Sequence, residues 1–104
     1  LEKVTYERNA IVTFKLVNGD EIVTRIEADD GEQWVITGPV TVIPAREGGI
    51  HMVPSMMSID PDAELRLSRR QVMLDAPSAE PVADHYREIT TGVKTVRKPG
   101  IILG

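Results

Sequence analysis

The stretch LVNGDEIVTRIEADDGEQWVITGPVTVI, from Leu16 to Ile43, holds three β-like segments joined by two tight turns. Asn18-Gly19 is the dipeptide best suited to a type I′ hairpin, in which both central residues take positive φ. Asp30-Gly31 predicts a second hairpin by the same logic. Just upstream, Ile11–Val17 (IVTFKLV) is rich in β-branched and aromatic residues and reads as a first strand. Between the turns, Ile22, Thr24 and Ile26 alternate with Val23, Arg25 and Glu27, the period of a strand with two distinct faces. A long third strand covers Gln33–Ile36 and Val40–Ile43. It is interrupted at Gly38-Pro39, where the missing proline donor predicts a bulge, a bend or an edge.

Beyond Pro44 the chain passes a loop, AREGG, into the apolar stretch IHMVPSMM (residues 50–57). SIDPDAE is turn chemistry. Leu65-Arg66-Leu67 and Val72-Met73-Leu74 then read as short strands around the polar corner SRRQ. Together these segments predict a mainly β protein, a small strongly bent five-stranded barrel. The last quarter changes character: Ser78 is placed to N-cap a helix whose Val82, Tyr86 and Ile89 share one face. Glu80, Asp84, Arg87 and Glu88 fall on its outer side, and Gly92 is a natural C′ residue. The expected organisation is a barrel over residues 1–76, with a C-terminal helix and tail, 77–104, packed on it.

Composition narrows the function. The 104 residues suit one domain, and a net charge of −4 removes any global attraction to nucleic acid or anionic lipid. An aromatic content of 4% is thin for a face that stacks bases. With no cysteine and two histidines, disulfides and thiolate zinc sites are excluded and no cofactor is implied. No apolar run is long enough to span a bilayer and no signal-peptide pattern opens the chain, so a cytoplasmic protein is expected, its non-Met first residue reading as a processed or recombinant start. Asp60, Asp62 and Glu64 alternate as in a calcium loop, but the central Gly and closing Glu are missing, which leaves a solvated turn. His51 and His85 read as ordinary surface or half-buried imidazoles. There is neither a G-x-S-x-G elbow nor a phosphate-cradling loop, and no enzyme is expected. Two features stay open between packing and binding: Trp34, and the adjacent pair Arg69-Arg70.

FKLVNGDEIVTRI (residues 14–26) and LSRRQV (67–72) resemble the two motifs of the Sm-like (LSm) family, over roughly residues 11–76. Gly19 stands at that family's hairpin glycine, Ile26 at the apolar close of its first motif, and Asp30 near the acidic residue of the next loop. Leu67 and Val72 match the apolar ends of the second motif, Ile-Arg-Gly-x-x-Val. Ser68 and Arg69 replace its Arg and Gly, and Gln33-Trp34 replaces the Met-Asn pair, so the residues that build the family's uridine pocket are missing. From Gly49 onward the chain looks like a divergent Sm-like group of marine phages, the cyanophages.

The resemblance implies a closed homo-oligomeric ring of about five to seven subunits, in which strand edges pair between neighbours. Ile50, Met52, Val53, Met56, Val72, Met73 and Leu74 are the expected interface residues. Met73 and Leu74 are expected on opposite faces, one toward the core and one toward the neighbour. Asp30, Gln33, Trp34, Arg69 and Arg70 are the expected RNA-binding residues, lining the pore against single-stranded RNA. The first functional expectation is a role in RNA metabolism in the host cytoplasm. The alternative is a structural or adaptor ring that binds other proteins, in phage assembly or host takeover, without RNA. A third class is a monomeric β-barrel domain of a larger enzyme.

Overall fold

Gly19 at φ +98° and Gly31 at φ +92° close two hairpins, so the meander forms where the turn residues place it. The structure, a computed structural model, describes the backbone of residues 5–96 and the side chains of residues 5–91. Its elements are β1 (Ile11–Leu16), β2 (Glu21–Asp29), β3 (Gln33–Pro44), β4 (Ile50–Pro54), β5 (Leu65–Ser68), a 3₁₀ turn (Arg69–Gln71), β6 (Val72–Pro77) and α1 (Glu80–Val96). The strands form one antiparallel sheet in the order β4-β3-β2-β1-β6, with β5 also pairing β3.

The hairpins are not of the expected type. Asn9 is the one non-glycine residue with positive φ among those described, so Asn18 and Asp30 stay out of the left-handed region. Gly19 N–H donates to Leu16 O (2.9 Å) and Leu16 N–H to Asp20 O (2.8 Å). This is a three-residue loop, and such a loop needs only one left-handed residue, the glycine.

The sheet has six strands rather than five and is open rather than a closed barrel. β4 pairs with Val40–Pro44 of β3, while β5 pairs with Gln33–Ile36 of the same strand. What would be one long fourth strand is broken in two. After a last bond from Ser55 N–H to Pro39 O (2.9 Å), the excursion 55–64, SMMSIDPDAE, leaves the sheet opposite residues 37–39 of β3. Among the described residues β6 ladders with β1 alone and β4 with β3 alone, which leaves an edge open at each end of the order.

Each face of the bent sheet has its own core. On one face, Val12, Phe14, Ile22, Ile26, Trp34 and Ile36 are buried together as the inner core, with Leu65, Leu67 and Val72 packed against them. On the other face Ile11, Val23 and Val40 are buried under Ala83 and Tyr86 of α1. Trp34, Ile36 and Val40 have the same parity, yet Val40 belongs to the opposite face. The cause is an extra residue in β3: Arg25 pairs Thr37 but Val23 pairs Val40. A one-residue bulge flips every side chain beyond it. The expected interruption at Gly38-Pro39 is this bulge, with Gly38 at φ +59°.

α1 lies on the flipped face. Val82, Ala83, Tyr86 and Ile89 point at the sheet, and Asp84, Arg87 and Glu88 are exposed, as the helical period predicts. The Tyr86 hydroxyl donates to Thr37 O (3.1 Å) and Gly38 O (2.9 Å), tying helix to bulge. Two terminal expectations fail. The Ser78 hydroxyl meets Thr13 Oγ1 at 2.7 Å, its N–H donates to Ile11 O, and the helix opens at Glu80. At the other end the helix continues past Gly92 to Val96, since one glycine costs an interior turn only about 1 kcal/mol. The basic and aliphatic tail, 97–104, lies outside the described residues.

Candidate functional site

The five expected RNA-binding residues do gather at one end of the sheet. The 3₁₀ turn carries Arg69 and Arg70 and is joined to the β2–β3 turn by Arg69 N–H donating to Glu32 O (3.2 Å). Ser68 caps it, its hydroxyl accepting from Arg70 N–H at 3.2 Å. Their side chains, however, are committed differently. Trp34 is 2% exposed, packs on Phe14 with ring centroids 4.7 Å apart, and donates its Nε1–H to Asp29 Oδ2 (3.1 Å). It has no face left for a base, which decides between its two readings in favour of packing.

Arg69 is held the same way. Its guanidinium lies 3.9 Å from the Trp34 ring centroid and pairs with Asp29 Oδ1. Asp29 is the residue that sequence reasoning missed, its side chain 4% exposed, binding both Trp34 and Arg69. Its only outward signal is that it precedes the turn acid Asp30. Burial alone would raise the Asp29 pKa, but the hydrogen bond and charge of Arg69 and the Gly31 amide hold it below the usual carboxylate range. Asp30 serves its own turn: its Oδ1 accepts from the amides of Glu32 and Gln33, both at 2.9 Å, and these amides lower its pKa. Gln33 is half-buried with its side-chain amide donating to Asp30 Oδ2 (3.5 Å), and Arg70 is exposed and remains available at this end. The Tyr6 hydroxyl donates to Asp75 beside this cluster, and burial, then Asp75, push its pKa well up.

The expected interface residues divide along the two open edges. On β6, Met73 is 61% exposed and Leu74 65% exposed, so neither reaches the core. The register shift between Lys15 and Leu16 accounts for this, since it sets Val72 rather than Met73 against Leu16. Val72 is partly buried on the inner core and its N–H donates to Arg69 O. Ser78 N–H donates to Ile11 O, so by the antiparallel alternation both N–H and C=O of Asp75 face the open edge. On β4, Ile50 is 43% and Val53 39% exposed, while Met52 packs beneath α1. Ser55 N–H donates to Pro39 O, and the same alternation turns the backbone groups of Ile50 and Met52 outward.

Met56, 49% exposed, leaves the edge with residues 55–64 and lines a groove beside α1. Among the described residues no helix is long and apolar enough to cross a membrane. No protein-family model matches the chain, and no curated protein matches it.

Proposed function

We propose that the chain is a subunit of a homo-oligomeric, Sm-like ring that serves as a structural or adaptor scaffold for other proteins and carries out no reaction of its own. The observation that carries this reading is the open β6 edge, where Met73 and Leu74 are more than half exposed beside the outward backbone of Asp75. A second open edge, β4, sits at the other end of the strand order with Ile50 and Val53 exposed. Pairing β6 of one subunit with β4 of the next is a head-to-tail contact, which closes into a ring when the rotation permits, here at about five to seven subunits. Pro77 and Pro54 end the two edges, so the pairing is short and its register is fixed. The proposed setting is a marine-phage protein acting in its host's cytoplasm.

Chromatography coupled to light scattering on the wild type and on Met73→Lys tests this reading. A charge on the edge strand should shift the assembly toward monomer without unfolding it. An unchanged assembly would remove β6 from the interface. A second reading, RNA in the pore, is favoured by one observation: Arg70 is exposed at the end where Asp30 and Gln33 gather. One such arginine per subunit makes a ring of phosphate contacts, whose affinity falls steeply with salt. Titration of oligo(U) and oligo(A) at two salt concentrations tests it, and no binding in low salt at high micromolar protein would sink it.

A further inference from the structure

The excursion 55–64 and α1 enclose a groove of about 810 Å³ that neither the edges nor the 3₁₀ end account for. Gly38, Pro39 and Val40 lie along it, at the bulge where Tyr86 is tied down. Met52, Met56, Met57, Ile59 and Ile89 give it an apolar lining, with Met57 85% exposed. Its rim is acidic. Asp60, Asp62 and Glu64 come from the excursion, and Glu27, which pairs with Arg8, adds a fourth carboxylate. Against them stands Arg25, whose guanidinium lies 5.9 Å from the Tyr86 ring centroid. A methionine-lined surface adapts its shape to aliphatic side chains, and this rim selects positive charge beside them.

The chain's own sequence contains a segment of that chemistry. Residues 97–104 read RKPGIILG: two cations, a Pro-Gly pair, then three aliphatic residues. We infer that this groove is the intramolecular docking site of residues 97–104, with Ile101, Ile102 and Leu103 on the methionines and Arg97 and Lys98 toward the acidic rim. The reach agrees. Ile89, Thr90 and Thr91 of α1 line the groove, and the helix runs on to Val96. At about 1.5 Å per residue, Val96 stands about 8 Å beyond Thr91 and about 10 Å beyond Ile89. Pro-Gly is reverse-turn chemistry, with proline pre-set at the second turn position and glycine free to take positive φ at the third. The two extended steps from Ile101 to Leu103 cover about 7 Å, which brings Leu103 back to about the level of Thr91, itself on the groove. Docking in cis also costs less entropy than recruiting a separate chain, because the segment is tethered a few residues from its site. The docked segment occupies the surface that another apolar, basic partner would use.

The chain's four methionines supply the test: Met52, Met56 and Met57 line the groove and Met73 lies on β6. Methyl-¹³C-methionine spectra of the full chain are compared with those of Ile101→Ser/Ile102→Ser/Leu103→Ser, below the concentration at which the chain associates. The expected result is that the three groove signals move while that of Met73 stays, and that the difference is the same after tenfold dilution. Asp60→Asn/Glu64→Gln, which alters the rim but not the tail, should move the same three signals part of the way. Groove signals unaltered by the tail substitutions overturn the proposal. A difference that fades on dilution also overturns it, because the occupant would then be another copy's tail.

Discussion

Gly38→Ala tests how the fold turns its sheet from one core to the other. A Cβ at this position would sit 2.8 Å from the Tyr86 hydroxyl oxygen, closer than real Cβ atoms come. To restore ordinary contact the hydroxyl must retreat about 0.6 Å. Its bonds to Thr37 O and Gly38 O, now 3.1 and 2.9 Å, would stretch past useful length. The two contacts share one hydroxyl proton and together are worth about 1–2 kcal/mol net. Holding alanine at φ +59° adds about 1–2 kcal/mol. The total is about 2–4 kcal/mol, or very roughly 10–25 °C in Tm for a domain of this size.

Tyr86→Phe removes the oxygen that the new methyl meets, at a cost of about 1–2 kcal/mol alone. In that background Gly38→Ala should retain only the backbone term, so the double-mutant cycle should couple by about 1–2 kcal/mol. Urea unfolding read by the single buried tryptophan, Trp34, provides all four corners of the cycle. Additivity within about 0.5 kcal/mol would refute the reasoning, because the contact between helix and bulge would then be idle.

Asp29→Asn should destabilise by about 2–4 kcal/mol in the same unfolding assay, since it leaves the Arg69 guanidinium without its countercharge beside Trp34. Because the Asp29 pKa is lower folded than unfolded, the carboxylate's stabilisation is full above the unfolded value of about 4 and is lost as pH falls through the folded one. Acid titrations should therefore fall less steeply below about pH 4 in Asp29→Asn than in wild type, and parallel curves would contradict the pairing. Oligonucleotides, if they bind, should leave Trp34 emission unquenched and lose affinity on Arg70→Ala; strong quenching would mean that Trp34 reaches the ligand. Removing residues 79–104 uncovers Ile11, Val23 and Val40 and should give aggregating protein by light scattering, whereas a soluble folded truncation would mean that α1 covers nothing essential.

The meander and the helix were legible because their signals are local. Alternation of Ile22, Thr24 and Ile26 with Val23 and Arg25, the glycines of both turns, and the Val82, Tyr86, Ile89 stripe each report a period that the backbone must obey. The split fourth strand was not legible, since it depends on two segments ten residues apart finding opposite ends of one partner strand. Trp34 and Arg69 were ambiguous for a similar reason: what commits them is Asp29, and nothing in the sequence shows that its carboxylate turns inward. One of Met73 and Leu74 was expected to face the core, but a register shift of one residue gave that role to Val72. The groove between α1 and residues 55–64 is a purely tertiary feature, visible in sequence only as an unusual density of methionine.

Sedimentation velocity at tens of micromolar, on wild type and on Met73→Lys/Leu74→Lys, tests the edge-pairing scaffold most directly. From a chain of 11.5 kDa, wild type should run as one closed species of about 58–80 kDa, the mass of five to seven subunits. The charged double variant should run as the 11.5 kDa monomer with an unchanged circular dichroism spectrum, because both side chains are already exposed in the isolated fold. A wild-type monomer at that concentration, where a sheet-extending interface of ordinary size is occupied, would contradict the account.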